Sequence, residues 1–151
     1  MSNLNINQFQ QVTVRGDLDL QISKSGVITG QIASGQATAL HGGDFIKLDT
    51  SNTGPVPQFL AAGVDDAAFG TIKRNVKQDT FSAGDYTEVA GPYGPVMWLV
   101  AGATIAPQAF VEDNGDGTVV TKNSHSSRGI ALDPGTTGNL LRIVLTNPLS
   151  A

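Results

Sequence analysis

Gly43-Asp44-Phe45-Ile46-Lys47-Leu48, Gly84-Asp85-Tyr86-Thr87-Glu88-Val89 and Gly138-Asn139-Leu140-Leu141-Arg142-Ile143 follow one pattern. Each runs glycine, an Asp or Asn, an apolar or aromatic residue, any residue, a charged residue and an aliphatic one. Glycine takes a positive φ without cost, and a short carboxylate or amide after it closes a tight turn, so the chain leaves the turn as a strand. The alternation that follows turns one set of side chains inward and the charged residue outward. A second pair supports the echo. Phe69-Gly70-Thr71-Ile72 and Arg128-Gly129-Ile130-Ala131 each precede one of these units. The chain is expected to use the same strand–loop–strand unit more than once, with too few copies for a solenoid.

Working outward, short β-type runs between turn signals predict strands over 12–14, 18–22, 27–32, 37–40, 45–49, 69–74, 87–90, 96–101, 110–112, 118–122, 129–132 and 140–146. Arg15-Gly16-Asp17 and His41-Gly42-Gly43-Asp44 punctuate them as turns, and Asn114-Gly115-Asp116-Gly117 carries two hairpin signals in tandem. Residues 51–57 form a loop. Residues 58–68 allow at most one short helix, because the alanines permit it while Gly63 and Asp65-Asp66 oppose it. No amphipathic helical stripe competes elsewhere. The fold class is therefore all-β: a single barrel- or sandwich-like domain of about ten short strands. It spans residues 12–151 and follows an extended N-terminal arm, residues 1–11. In that Asn/Gln-rich arm Leu4, Ile6 and Phe9 are the candidate anchors against a neighbouring subunit.

Composition narrows the function. The chain has 151 residues, 40% hydrophobic and only 15% charged, with a net charge of −4. Its nine Lys and Arg are scattered, so no basic stripe exists to neutralise phosphates, and neither nucleic acid nor an anionic membrane is expected as a partner. With no cysteine there is no disulfide, thiolate metal site or Cys nucleophile. The N-terminus lacks a basic region followed by an apolar stretch, and the longest apolar run, 96–101, is too short to span a bilayer.

No pattern assembles chemistry. His41 and His125 are outside metal-ligand spacing of each other. Asp113-Asn114-Gly115-Asp116-Gly117 puts glycine where a calcium loop needs ligands, so it reads as a hairpin turn. Ser124, Ser126 and Ser127 flank His125 on an extended segment that separates neighbours to opposite faces. Asp65-Asp66 are adjacent and cannot face each other across a cleft. Catalytic, cofactor and metal residues are all expected to be none. Trp98, within Val96-Met97-Trp98-Leu99-Val100, is expected in the core. Tyr93, within Gly91-Pro92-Tyr93-Gly94-Pro95, sits on a stiff turn suited to contact and joins the candidate interface residues.

An ordered set of phrases resembles a known family. Gly43-Asp44-Phe45-Ile46-Lys47-Leu48 and Phe69-Gly70-Thr71-Ile72 come first. They are followed by Phe81-Ser82-Ala83-Gly84-Asp85-Tyr86-Thr87-Glu88-Val89, Pro95-Val96-Met97-Trp98-Leu99 and Ala103-Thr104-Ile105-Ala106. Gly129-Ile130-Ala131-Leu132-Asp133 and Gly138-Asn139-Leu140-Leu141-Arg142-Ile143 close the set. In order and spacing these resemble the capsid decoration (cement) proteins of tailed bacteriophages. The resemblance implies a non-enzymatic β-barrel-like virion protein, made in the bacterial host cytoplasm. It would assemble as a homo-oligomer, often a trimer, on the capsid exterior, where it bridges neighbouring major capsid protein subunits after head expansion. The competing expectation is a glycan- or receptor-binding β module on the phage particle, which would display several exposed aromatics.

Overall fold

The computed structural model describes residue 15, residues 26–91 and residues 95–146. The strands expected over 12–14 and 18–22, the arm with Leu4, Ile6 and Phe9, and Tyr93 lie outside the described residues. The rest is all-β, with no helix among the described residues. The strands are β1 (Val27–Ile32), β2 (Leu40–His41), β3 (Phe45–Leu48), β4 (Gln58–Ala61), β5 (Gly70–Ile72), β6 (Thr80–Phe81), β7 (Tyr86–Ala90), β8 (Val96–Val100), β9 (Phe110–Asp113), β10 (Val119–Thr121), β11 (Ser127–Ala131) and β12 (Leu140–Leu145).

These strands make the same object twice. Strands β1-β4-β3-β5-β7 close into a barrel, antiparallel except for the parallel seam in which Ile32 pairs with Phe59. Strands β10-β9-β11-β12-β8 form the second sheet in the same connectivity, and one parallel bridge, Ala101 to Val119, brings its two outer strands together at the matching place. The register agrees residue by residue. Phe45 opposite Thr71 corresponds to Phe110 opposite Ile130, Ile72 opposite Val89 to Ala131 opposite Ile143, and Ala90 opposite Val27 to Val144 opposite Val96. The turn bonds match as well: Ala33 N–H donates to Phe59 O at 2.9 Å, and Gly102 N–H to Val119 O at 2.8 Å. The short β2–β6 ladder, Leu40 opposite Phe81, reappears as the single bridge Ile105 to Gly135.

The echo in the sequence is thus a trace of this repeat. The Gly84 and Gly138 units lead into the equivalent strands β7 and β12, with φ of 89° and 81° at the two glycines. The Gly43 unit leads into β3, whose partner β9 is preceded by Gln108. Gln108 is the one non-glycine at positive φ among the described residues (66°), and its N–H donates to Ala131 O at 2.8 Å as Gly43 N–H does to Ile72 O. The hydrogen bond keeps the left-handed turn after the glycine that suits it is gone, against a cost of about 1–2 kcal/mol.

Each barrel has a core. Ile32, Leu40, Ile46, Phe59, Ile72, Phe81 and Val89 fill the first. Met97, Leu99, Ile105, Val111, Val119, Leu141 and Ile143 lead the second, and it also takes in Phe45 and Ala90, which belong to the wall of the first barrel. Residues 58–68 form β4 and a turn; Phe59 is fully buried, and pairing with both β1 and β3 outweighs the helical preference of the alanines. The turn at His41–Asp44 joins β2 to β3, which do not pair with each other, whereas Asn114–Gly117 does close the β9–β10 hairpin. Trp98 is not in the core. Alternation sends its neighbours Met97 and Leu99 inward and leaves Trp98 half-buried on the outer face, with the Arg142 guanidinium 5.7 Å over its ring.

Glycine at the start of β5 and its equivalent in β11 follows from close packing. A Cβ on Gly70 would lie 2.4 Å from Ala90 O, and one on Gly129 2.3 Å from Val144 O. Gly84 and Gly138 instead have open space around them and only the positive φ to satisfy. Gly70→Ala and Gly129→Ala should each destabilise by about 3 kcal/mol, at the upper end of overpacking costs. Gly84→Ala and Gly138→Ala should each cost only about 1 kcal/mol. Urea unfolding of the four variants reads the difference; unequal losses within either pair would contradict the repeat, and equal losses at all four sites would contradict the close packing at Gly70 and Gly129.

Candidate docking surface

The junction between the barrels is built by side chains that the two copies of the repeat do not share. Arg128 occupies the position that Phe69 holds in the first barrel. Phe69 stacks on Phe59 within its own barrel, with centroids 6.2 Å apart. Arg128 reaches across to the first barrel, 2% exposed, with its guanidinium 5.2 Å over the Phe45 ring. It donates to Asp66 O at 2.5 Å, Gly63 O at 2.7 Å and Val64 O at 3.2 Å. One planar fork therefore ties down a loop with three carbonyls. Burial pulls the Arg128 pKa below its usual value, opposed by Asp113, Asp66 and Asp65, and the group stays charged at any physiological pH.

The facing loop, 123–125, is held in the mirror manner. Glu112 is 4% exposed and stands where the first barrel has Lys47. A single carboxylate oxygen accepts the N–H groups of Asn123 (2.8 Å), Ser124 (3.0 Å) and His125 (2.8 Å). Burial pushes its pKa up, but the three backbone donors, helped by His125, outweigh that and leave it below the usual glutamate range. Lys47 instead pairs with Asp66 at 2.7 Å, and Asp66 also accepts Gly63 N–H, so its pKa too is lowered. A third ionic contact comes from Arg15, whose Nη2 lies 2.5 Å from Asp44 Oδ1 beside Gly117. The Arg15–Asp44 pair borders a groove of about 520 Å³ that Val64, Asp113 and Gly117 also line. Burial raises the Asp113 pKa, despite its bond from Gly115 and the nearby cations Arg128 and Arg15.

Most of the sequence candidates for chemistry have structural partners, whereas the buried Ser127 hydroxyl has none among the described residues. His125 Nδ1 lies 2.9 Å from Asp65 Oδ1, and Ser126 Oγ donates to Asp65 O at 3.3 Å. Asp65 and Asp66 diverge, the first to His125 and the second to Lys47. Asp113 and Asp116 accept the N–H groups of Gly115 and Thr118 and hold the hairpin. Among the described residues no group of three or more His, Asp or Glu could hold a metal ion. No helix of the described residues is long and apolar enough to cross a membrane.

What the outer surface offers is contact area. Among the described residues the exposed large apolar side chains are Val27, Ile28, Leu48, Val76, Tyr86, Phe110 and Leu132. Phe110 heads a wall across the second barrel, in register with Ile130 and then Val144. Sequence reasoning missed Arg128, Glu112 and Phe110. The only available signal was that Phe69 and Arg128 precede matched glycines and differ in kind.

The described residues thus form a tandem of two small barrel-like units packed on one another through the Phe45–Arg128 contact. The structure is similar to the crystal structure of the head fiber gp8.5 N base in bacteriophage phi29, with a TM-score of 0.51 and 17% identity, over 83% of this chain and all of that one (100%). At that identity the likeness is one of fold. No family model and no curated protein matches the chain.

Glu112→Gln should lower stability by about 2 kcal/mol near neutral pH, because a weaker acceptor faces three backbone donors. The folded pKa lies below the unfolded one, so the carboxylate's contribution is complete above the usual value of about 4.3 and fades as pH falls through the folded value. Urea midpoints of parent and variant should therefore converge in acid. Arg128→Met should cost about 3 kcal/mol, roughly 1 per lost hydrogen bond, read in the same titration.

Proposed function

We propose that this protein is a structural component of a phage virion that binds the exterior of the expanded head and bridges major capsid protein subunits. The observation that carries the reading is the fold likeness, over most of the chain, to the base of a head fiber. Two properties support it. The barrels are closed or bridged rings, which leaves few strand edges for uncontrolled addition. The surface has few charges, so contacts made through it tolerate changes in ionic strength. In this reading the chain works as a homo-oligomer, so that many weak contacts add by avidity. Leu4, Ile6 and Phe9 of the arm and Tyr93 serve as anchors.

The purified protein should co-sediment with expanded heads at a saturating, symmetry-limited copy number, and not with unexpanded ones. Binding to a glycan array without retention on heads would favour the receptor-binding alternative. Removal of residues 1–11 should leave the thermal midpoint unchanged and reduce occupancy on heads; full occupancy of the truncated chain would remove the arm from the interface.

A further inference from the structure

Strand β7 outruns its neighbour in the first barrel. Strand β5 ends at Ile72, opposite Val89, while β7 starts three residues earlier, at Tyr86. The seam is carried one residue further by Lys73 N–H, which donates to Glu88 O at 2.8 Å. Tyr86 and Thr87 pair with Gln31 and Gly30 of β1 on one side. On the other side no strand lies opposite them among the described residues. A cavity of about 220 Å³ opens at this place. Alternation along β7 puts Tyr86 and Glu88 on the outer face and turns Thr87 inward, toward the side on which Phe81 is buried. The cavity touches all four, so it enters the wall of the barrel.

The groups around the opening specify what it takes. Lys73 Nζ and Glu88 Oε2 pair at 2.7 Å at the rim, with the exposed Thr29 opposite Glu88 on β1. Asn75 also lines it; its Oδ1 accepts Lys77 N–H at 3.0 Å, which leaves the amide nitrogen as a donor. Tyr86 stands beside them with its ring 61% exposed. Thr87 is 4% exposed, and its hydroxyl has no hydrogen-bond partner among the described residues. A buried hydroxyl left without a partner is costly, and a ligand hydroxyl would relieve it. Lys73 and Glu88 cancel in charge, so the rim favours neither an anion nor a cation. It sets a donor beside an acceptor and both beside a bare aromatic ring. A neutral sugar ring matches that set: a vicinal diol bridges the ammonium and the carboxylate, and the C–H face of the sugar lies on the phenol ring. The volume is below the roughly 300–1,000 Å³ of a drug-sized pocket, which suits a single ring. An added peptide strand fits poorly, because the free edge is only Tyr86 and Thr87. The second barrel lacks the arrangement. Leu132, Leu140, Arg142 and Trp98 stand at the counterparts of Lys73, Tyr86, Glu88 and Thr29. There Arg142 donates to Asp133 at 2.8 and 2.7 Å and lies over the Trp98 ring, so the charged and aromatic groups engage one another.

We propose that this cavity binds one neutral sugar ring of a glycan, with Tyr86 as the platform and the Lys73–Glu88 pair as the clamp on a vicinal diol. Thr29 and Asn75 add bonds at the rim, and the Thr87 hydroxyl is the group at the buried end. A single ring has about a dozen non-hydrogen atoms, so at ordinary ligand efficiency it binds in the millimolar range. Several copies on one particle would raise that by avidity. The site uses neither residues 1–11 nor Tyr93 and does not depend on the capsid.

The test is an NMR titration of the isotope-labelled full chain with the methyl glycosides of glucose, galactose and mannose and with N-acetylglucosamine, each to about 50 mM. At least one probe should shift the amides of Lys73, Tyr86 and Thr87 and saturate, with a Kd of about 1–10 mM. Tyr86→Ala removes the platform and should weaken binding by about tenfold or more, whereas Tyr86→Phe keeps the ring and should stay within about threefold. Glu88→Gln takes away the carboxylate of the clamp and should also weaken binding about tenfold. Both side chains point outward, so the thermal midpoints should hold; should Tyr86→Ala disturb the fold, Glu88→Gln and Tyr86→Phe carry the comparison. No saturable shift with any of the four probes, or an affinity that Tyr86→Ala and Glu88→Gln leave unchanged, would overturn the proposal. Shifts driven by a tetra-alanine peptide and by no sugar would do the same. Co-sedimentation with heads separates the two readings. A parent that saturates heads and binds no probe sinks this site and leaves the virion role standing, and a parent that binds a sugar and not heads does the opposite.

Discussion

Phe45 belongs to two structures at once. Its backbone is the first residue of a strand in one barrel, and its side chain is part of the core of the other. With Ala90 it fills the end of the second barrel, and Arg128 closes over its ring. A five-stranded ring of short strands is a small object that buries little on its own. Sharing a residue between wall and core lets the two rings complete one another.

The two rings have kept their backbone and exchanged their side chains. Strand order, register, the parallel closing bridge and the turns agree, down to equivalent hydrogen bonds such as Ala33 N–H to Phe59 O at 2.9 Å and Gly102 N–H to Val119 O at 2.8 Å. The differences gather at the junction. Phe69 against Arg128 and Lys47 against Glu112 convert a residue stacked within its own barrel into a cross-barrel fork, and an exposed ion pair into a buried carboxylate that orders a loop. Buried charges of this kind need bonded partners. Glu112 accepts three backbone N–H groups and Arg128 donates to three carbonyls, while the buried Arg128 Nε has no partner among the described residues. Such an arrangement ties the loops of the two barrels together across the junction.

Much of the fold was legible in the sequence. Glycine with a following Asp or Asn marks the starts of β3, β7 and β12, because only a few residues turn the chain that tightly. Alternation located β1, β3, β7, β8, β9, β11 and β12 to within a residue or two. The same alternation, taken with the wrong phase, misplaced Trp98: a run that is apolar throughout does not say which face is inward. Residues 58–68 were ambiguous for a related reason, since alanine-rich segments take their structure from what they pair with.

What the sequence determined by itself was local: turn chemistry, strand period, the absence of cysteine, a low and scattered charge, and a faint repeat whose matched glycines at 70 and 129 and at 84 and 138 prove to be equivalent. Each depends on a residue and its immediate neighbours. Only the tertiary structure decided that the repeat is a pair of rings, that the wall of one plugs the other, and that Phe110 and Phe45, alike in sequence, have opposite exposure. Those facts arise from partners far apart along the chain. Burial depends on what the fold brings alongside a side chain, and no spacing in the sequence encodes it.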